Sequence, residues 1–201
     1  MQLRLPAVRL VLFATLACIP GVAWAHVGAG SPSGFAHGFV HPITGADHVL
    51  AMVAVGMFAA NLGGRALWAV PLTFVTVMAI GGALGIAGVA VPFVEAGIAV
   101  SVVVLGAAVA LRWKWPVAAA MALVGLFAIF HGHAHGTEMP VDASGFEYAA
   151  GFMIATAVLH VAGIAIGLGL AKLARTHSPR LLQASGAAMA AAGVGILTGL
   201  I

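Results

Sequence analysis

Long apolar runs alternate along the chain with short breaks made of Pro, Gly and charge. The runs lie at about 41–61, 68–90, 93–111, 116–134, 147–171 and 181–201. Each is close to the ~20 residues a helix needs to cross a bilayer. Backbone groups in lipid must pair internally, so these runs are read as helices. The strict alternation of barrel strands is absent. Leu10–Ile19 is different: it is short, follows Arg4 and Arg9, is broken by Pro20 and Gly21, and precedes Ala23-Trp24-Ala25. That is the layout of a signal peptide cut after Ala25. The pattern therefore predicts an all-α polytopic membrane bundle, with residues 1–25 a signal peptide and 26–201 a domain of six transmembrane helices.

Composition agrees. The chain has 201 residues, is 63% hydrophobic and only 6% charged, and has a mean hydropathy of +1.15. A water-soluble domain carries about 25% charged residues, so the bilayer is the expected solvent. The pI near 9.8 is not a nucleic-acid signal, because the basic residues report topology instead. With the mature N-terminus periplasmic, the cytoplasmic loops hold Arg65, Arg112, Lys114, Lys172, Arg175 and Arg180. The outer segments hold Glu95, Glu138, Asp142 and Glu147 and no Lys or Arg, as the positive-inside rule requires of an inner-membrane protein. Trp113 and Trp115 flank Lys114 as interfacial anchors would. Gly81/Gly85, Gly163/Gly167 and Gly195/Gly199 are small-residue pairs suited to close helix packing. They leave a homo-oligomer open. The one cysteine, Cys18, lies in the leader, so the mature chain offers no thiolate.

Two segments carry chemistry. The first is His41-Pro42-Ile43-Thr44-Gly45-Ala46-Asp47-His48. With helix 1 beginning here and Pro42 in its first turn, His41 and His48 share a face two turns apart. Asp47 then lies about a turn and a half into the span, where an ionised carboxylate needs a cation or a partner. Met52 lies one turn deeper on the face of His48. The second is Phe130-His131-Gly132-His133-Ala134-His135-Gly136-Thr137-Glu138. If the segment is helical, His131 and His135 share a face and His133 points away; the glycines also allow an unwinding in which His133 could join them. Three histidines and Glu138 within eight residues is a metal-ligand density. Weaker candidates are His37 before helix 1, His26 as imidazole plus free α-amine after cleavage, and His160 in mid-span, where a polar ring is a pathway candidate. Imidazole with carboxylate suits nickel, cobalt, copper(II) or zinc, whereas Mg²⁺ and Ca²⁺ prefer all-oxygen shells. Ligand chemistry alone does not choose among the four.

The chain resembles the HupE/UreJ family of hydrogenase and urease accessory membrane proteins. The likeness rests on the leader ending before His26, on H-P-x-x-G-x-D-H at His41–His48, and on F-H-G-x-A-H-G-x-E at Phe130–Glu138. The resemblance implies a nickel permease, with cobalt the second choice. It makes His41, Asp47 and His48 the first transport ligands and His131, His135 and Glu138 the second. No permanently bound cofactor, no nucleic acid and no catalysis are expected; the partners are a transition-metal ion and the bilayer. Two rivals stay open: a membrane metalloenzyme with its metal on His131, His133 and His135, and a metal-binding accessory or sensor protein that does not conduct.

Overall fold

The structure, a computed structural model, describes residues 34–141, 143–176 and 180–201. The expected leader, His26, Asp142 and His177 lie outside those residues. The described residues form seven helices and no strand: α1 (Gly34–Thr44), α2 (Ala46–Leu62), α3 (Ala66–Ile86), α4 (Val94–Ala110), α5 (Val117–Thr137), α6 (Gly145–Thr176) and α7 (Leu181–Leu197).

Glycine decides how the helices pair, because a residue without Cβ lets two backbones meet. A Cβ on Gly132 would sit 2.0 Å from the Met78 carbonyl oxygen, and one on Gly136 would sit 2.2 Å from that of Gly82. Gly81 and Gly85 make the reciprocal approach from α3 to Ile129 and His133. Helices α3 and α5 thus run side by side and parallel, since later residues of one meet later residues of the other. Helices α2 and α6 do the same: Gly56 meets the backbone of His160, Gly163 that of Val53, and Gly167 packs on Met57 and Ala60. Helices α4 and α7 are antiparallel, with Gly186 against Ala110 and Gly193 against Val103. Between these pairs lies a core of aliphatic side chains with Phe58, Phe74, Met52, Met57 and Met78.

Two of the three glycine pairs singled out in the sequence are therefore interfaces. The third is not. α7 ends at Leu197, and Gly199 takes φ +70° just beyond it with no neighbour near its Cβ position, so it closes the helix as a left-handed C-terminal residue.

Helices α3, α5 and Gly145–Leu173 of α6 are each long and apolar enough to cross a membrane. α4 and α7 are apolar but have 17 residues each, about 26 Å of helix against a ~30 Å hydrocarbon core. The first expected span is broken. α1 and α2 meet at an angle of 82°, with Gly45 extended (φ −85°, ψ 118°) between them. Pro42 lies inside α1 near its end, not in the first turn of a longer helix, and removes a backbone donor there. The bend separates His41 from His48, so the two do not share a helix face.

Candidate metal site

The bend at Gly45 gives the site its two levels. His41 stays at the end of α1, whereas His48 enters the bundle on the first turn of α2 and is 3% exposed. Asp47 lies in the same first turn and is only partly buried, not a turn and a half deep. Its Oδ1 accepts from the His48 backbone N–H at 2.7 Å. A carboxylate is favourable at a helix N-terminus, so helix geometry already accounts for its placement. Among the described residues, Asp47 joins no group of three metal-ligating atoms.

α5 remains helical through Thr137. Gly132 and Gly136 lie on the face packed against α3, and their role is close approach rather than unwinding. An unbroken helix points His131 and His135 one way and His133 another. His133 turns toward the α3–α4 connection, where its Nε2–H donates to the Val89 carbonyl at 2.7 Å. The three-histidine cluster that the metalloenzyme rival requires is not assembled on α5.

His131 and His135 both converge on His48. His48 Nδ1 lies 3.0 Å from His131 Nδ1 and 2.9 Å from His135 Nε2. Protons can be assigned along one branch. The Ser101 hydroxyl donates to the Ile98 carbonyl at 2.6 Å, so its oxygen is left to accept from His131 Nε2–H at 2.9 Å. His131 Nδ1 then carries a lone pair aimed at His48. A ring nitrogen of neutral imidazole has one proton or one lone pair, so His48 Nδ1 can satisfy one of its two neighbours and not both. Two imidazole nitrogens thus approach one, and one of the two pairings goes unmet. Fixing one ring through its other N–H is how metal-ligating histidines are held.

Nearer the surface, His41 Nε2–H donates to Glu138 Oε2 at 2.8 Å, and His135 Nδ1 lies 3.8 Å from the same oxygen. His41, His135 and Glu138 present ligand atoms within 4.8 Å of one another. His135 belongs to both groups. The side chain of Glu138 is 52% exposed, while His135 and His131 are 8% and 0% exposed. The ligands thus descend from solvent into the core. His37 stacks on His41 at 6.0 Å and lies at the outer edge. His160 is buried farther along α6, where its ring meets that of Phe74 at 5.2 Å.

Aromatic walls that no sequence motif announces enclose the cluster. Phe152 packs on His135 and His48 at 4.3 and 5.7 Å, Tyr148 faces His37 and His41, and Phe74 faces His131. Ser101 was the one legible signal among those missed: it is the only hydroxyl in α4.

Comparison with known proteins bears on the same residues. The family model described as HupE / UreJ protein matches residues 14–196, which spans both histidine segments. The chain belongs to the HupE/UreJ family. It is 47% identical over 182 residues to a curated relative, "Protein HupE" of Rhizobium leguminosarum bv. viciae, covering 90% of this chain and 93% of that one. No solved structure matches it. With its apolar helices, this HupE/UreJ chain is a membrane protein.

Proposed function

We propose that the chain is a nickel permease of the inner membrane, with cobalt as the nearest alternative cargo, supplying metal to a nickel enzyme such as hydrogenase or urease. The observation that carries the proposal is the graded descent of ligands from exposed Glu138 and His41, through the shared His135, to His48 and His131 in the core. An ion captured at the carboxylate can pass inward by exchanging one imidazole for the next. The choice of nickel rests on the likeness to the HupE / UreJ family; imidazole and carboxylate ligands alone suit nickel, cobalt, copper(II) and zinc alike. A dication moving inward across 100 mV gains roughly twice 2.3 kcal/mol, so the membrane potential alone can drive influx.

The reading includes six crossings, a leader removed after Ala25 and a periplasmic mature N-terminus. The helix directions support the six crossings. In a chain that crosses alternately, the first and fifth spans are parallel, as are the second and fourth, while the third and sixth are antiparallel. The pairs α2/α6, α3/α5 and α4/α7 follow that rule. Charge supports the orientation: Lys114 donates to the Asn61 carbonyl at the bundle end opposite Glu138, and Trp113 and Trp115 stack there. Asp47 is assigned to the mouth, where it orients His48 and attracts cations.

The test is flux. Purified protein in vesicles loaded with a metal-sensitive dye should admit external Ni²⁺ at a rate set by the imposed potential. Tight Ni²⁺ binding without flux would instead identify a sensor or accessory protein.

A further inference from the structure

His160 lies outside both ligand groups. Helix α6 carries it two turns beyond Phe152, the residue beside His48, and Gly56, two turns beyond His48, meets its backbone. α2 and α6 are parallel, so the backbone of His160 lies about two helical turns farther along the bundle than that of His48. It is 1% exposed, and neither ring nitrogen has a hydrogen-bond partner. Buried polar side chains are rarely left so, and a core histidine retained for packing would bond to a neighbouring helix.

The side chains around it carry no charge. Phe74 and Met78 lie one turn apart on α3 and face Thr156 and His160, one turn apart on α6. The rings of Phe74 and His160 meet edge-on at 5.2 Å, and the Thr156 hydroxyl donates to Met78 Sδ at 3.7 Å. Met78 and Thr156 are fully buried, as is Met52, one turn beyond His48 on α2. The ring of Phe74 also lies 5.6 Å from that of His131, so the two levels share a wall.

We infer that His160, the Met78 thioether and the Thr156 hydroxyl form a second, inner site for a transition-metal cation, a waypoint below the histidine triad. This rests on the permease reading for its role and on the orphaned imidazole for its existence. Its ligands are neutral and include a soft sulfur, which selects against Mg²⁺ and Ca²⁺. The absence of a carboxylate keeps the ion loosely held, as a site that must release inward requires.

Cobalt(II) titration of the detergent-solubilised full chain, read by its visible absorption, tests the site directly. The wild type should take up two equivalents. The double variant His48→Ala/His135→Ala, lacking the triad, should retain one with a changed spectrum. Adding His160→Ala should abolish it. Met78→Leu, which conserves volume, should weaken this inner equivalent by roughly tenfold or more while the melting temperature stays at the wild-type value. No cobalt binding by a double variant that melts like the wild type would overturn the inner site, as would residual binding that survives both His160→Ala and Met78→Leu. Nickel flux on the same preparations separates the two readings. Two cobalt equivalents without flux would uphold the inner site and overturn the permease. Flux unchanged by His160→Ala would remove His160 from the path.

Discussion

Gly132→Ala is the sharpest probe of how the fold holds its ligands. The added Cβ would stand 2.0 Å from the Met78 carbonyl oxygen and 2.8 Å from the Gly82 nitrogen, both backbone atoms that cannot rotate away. Ordinary contact begins near 3.4 Å, so α3 and α5 must part by about 1.4 Å at this level to restore van der Waals distance. Overpacking of this kind costs about 1–3 kcal/mol, and more where the backbone is the obstacle. For a chain of this size that corresponds to a melting temperature lower by about 5 °C or more. His131 is the adjacent residue, and its 3.0 Å approach to His48 opens by a similar distance, whereas metal–ligand geometry tolerates only about 0.2 Å. Gly125→Ala is the control on the same helix. Its Cβ meets only Thr73 Cγ2 at 3.6 Å and Val77 Cγ2 at 3.8 Å, and replacing a mid-helix glycine with alanine gains up to ~1 kcal/mol of helix propensity. Melting followed by the fluorescence of Trp68, Trp113 and Trp115 should place Gly132→Ala well below the wild type and Gly125→Ala at or above it. Nickel binding should be lost only in the former. Coincident melting of the two variants would refute the packing argument.

Four further outcomes are expected. In cells expressing the protein, His48→Ala and His135→Ala should bring nickel uptake to background at matched membrane abundance. His133→Ala should keep most uptake and lose about 1 kcal/mol of stability with its bond to Val89; equal loss in all three would undo the division of roles on α5. Asp47→Asn should lower uptake by roughly tenfold or more, through the lost field at the mouth, and wild-type uptake would take that carboxylate out of the mechanism. Reporters fused at Arg112 and Asp142 should read cytoplasmic and periplasmic, and one shared side would end the six-crossing reading. Intact mass of the purified protein should lack residues 1–25; recovery of the full-length mass would leave the leader in place and His26 without a free amine.

The positions of most helices were legible because hydropathy integrates over many residues. The expected spans 93–111 and 116–134 differ from α4 and α5 by only a few residues. His131 with His135 was legible because spacing by four defines a helical face. The break at Gly45 was hidden by the same averaging, which joins two apolar segments across one extended residue. Pro42, Gly45 and Asp47 are stop and start signals, and they decided the geometry that hydropathy could not see. The glycines of the second segment suit two opposite uses, a loosened backbone or a tight contact, and the spacing leaves both open. The partner that decides between them, Met78 on α3, is remote in sequence. The convergence of His48 with His131 likewise depends on pairings that no local pattern contains.

The parallel pairing of α2 with α6 also bears on biosynthesis. Gly56 and the backbone it meets at His160 are 104 residues apart in the sequence. At 5–20 residues per second of synthesis, α2 waits roughly 5–20 s for its partner. During that interval its glycine face lies open to lipid, to the insertion machinery or to a quality-control protease. The wall of Tyr148 and Phe152 closes on the histidine cluster only when α6 enters, so a chain that ends before α6 has most of the candidate ligands but lacks that wall.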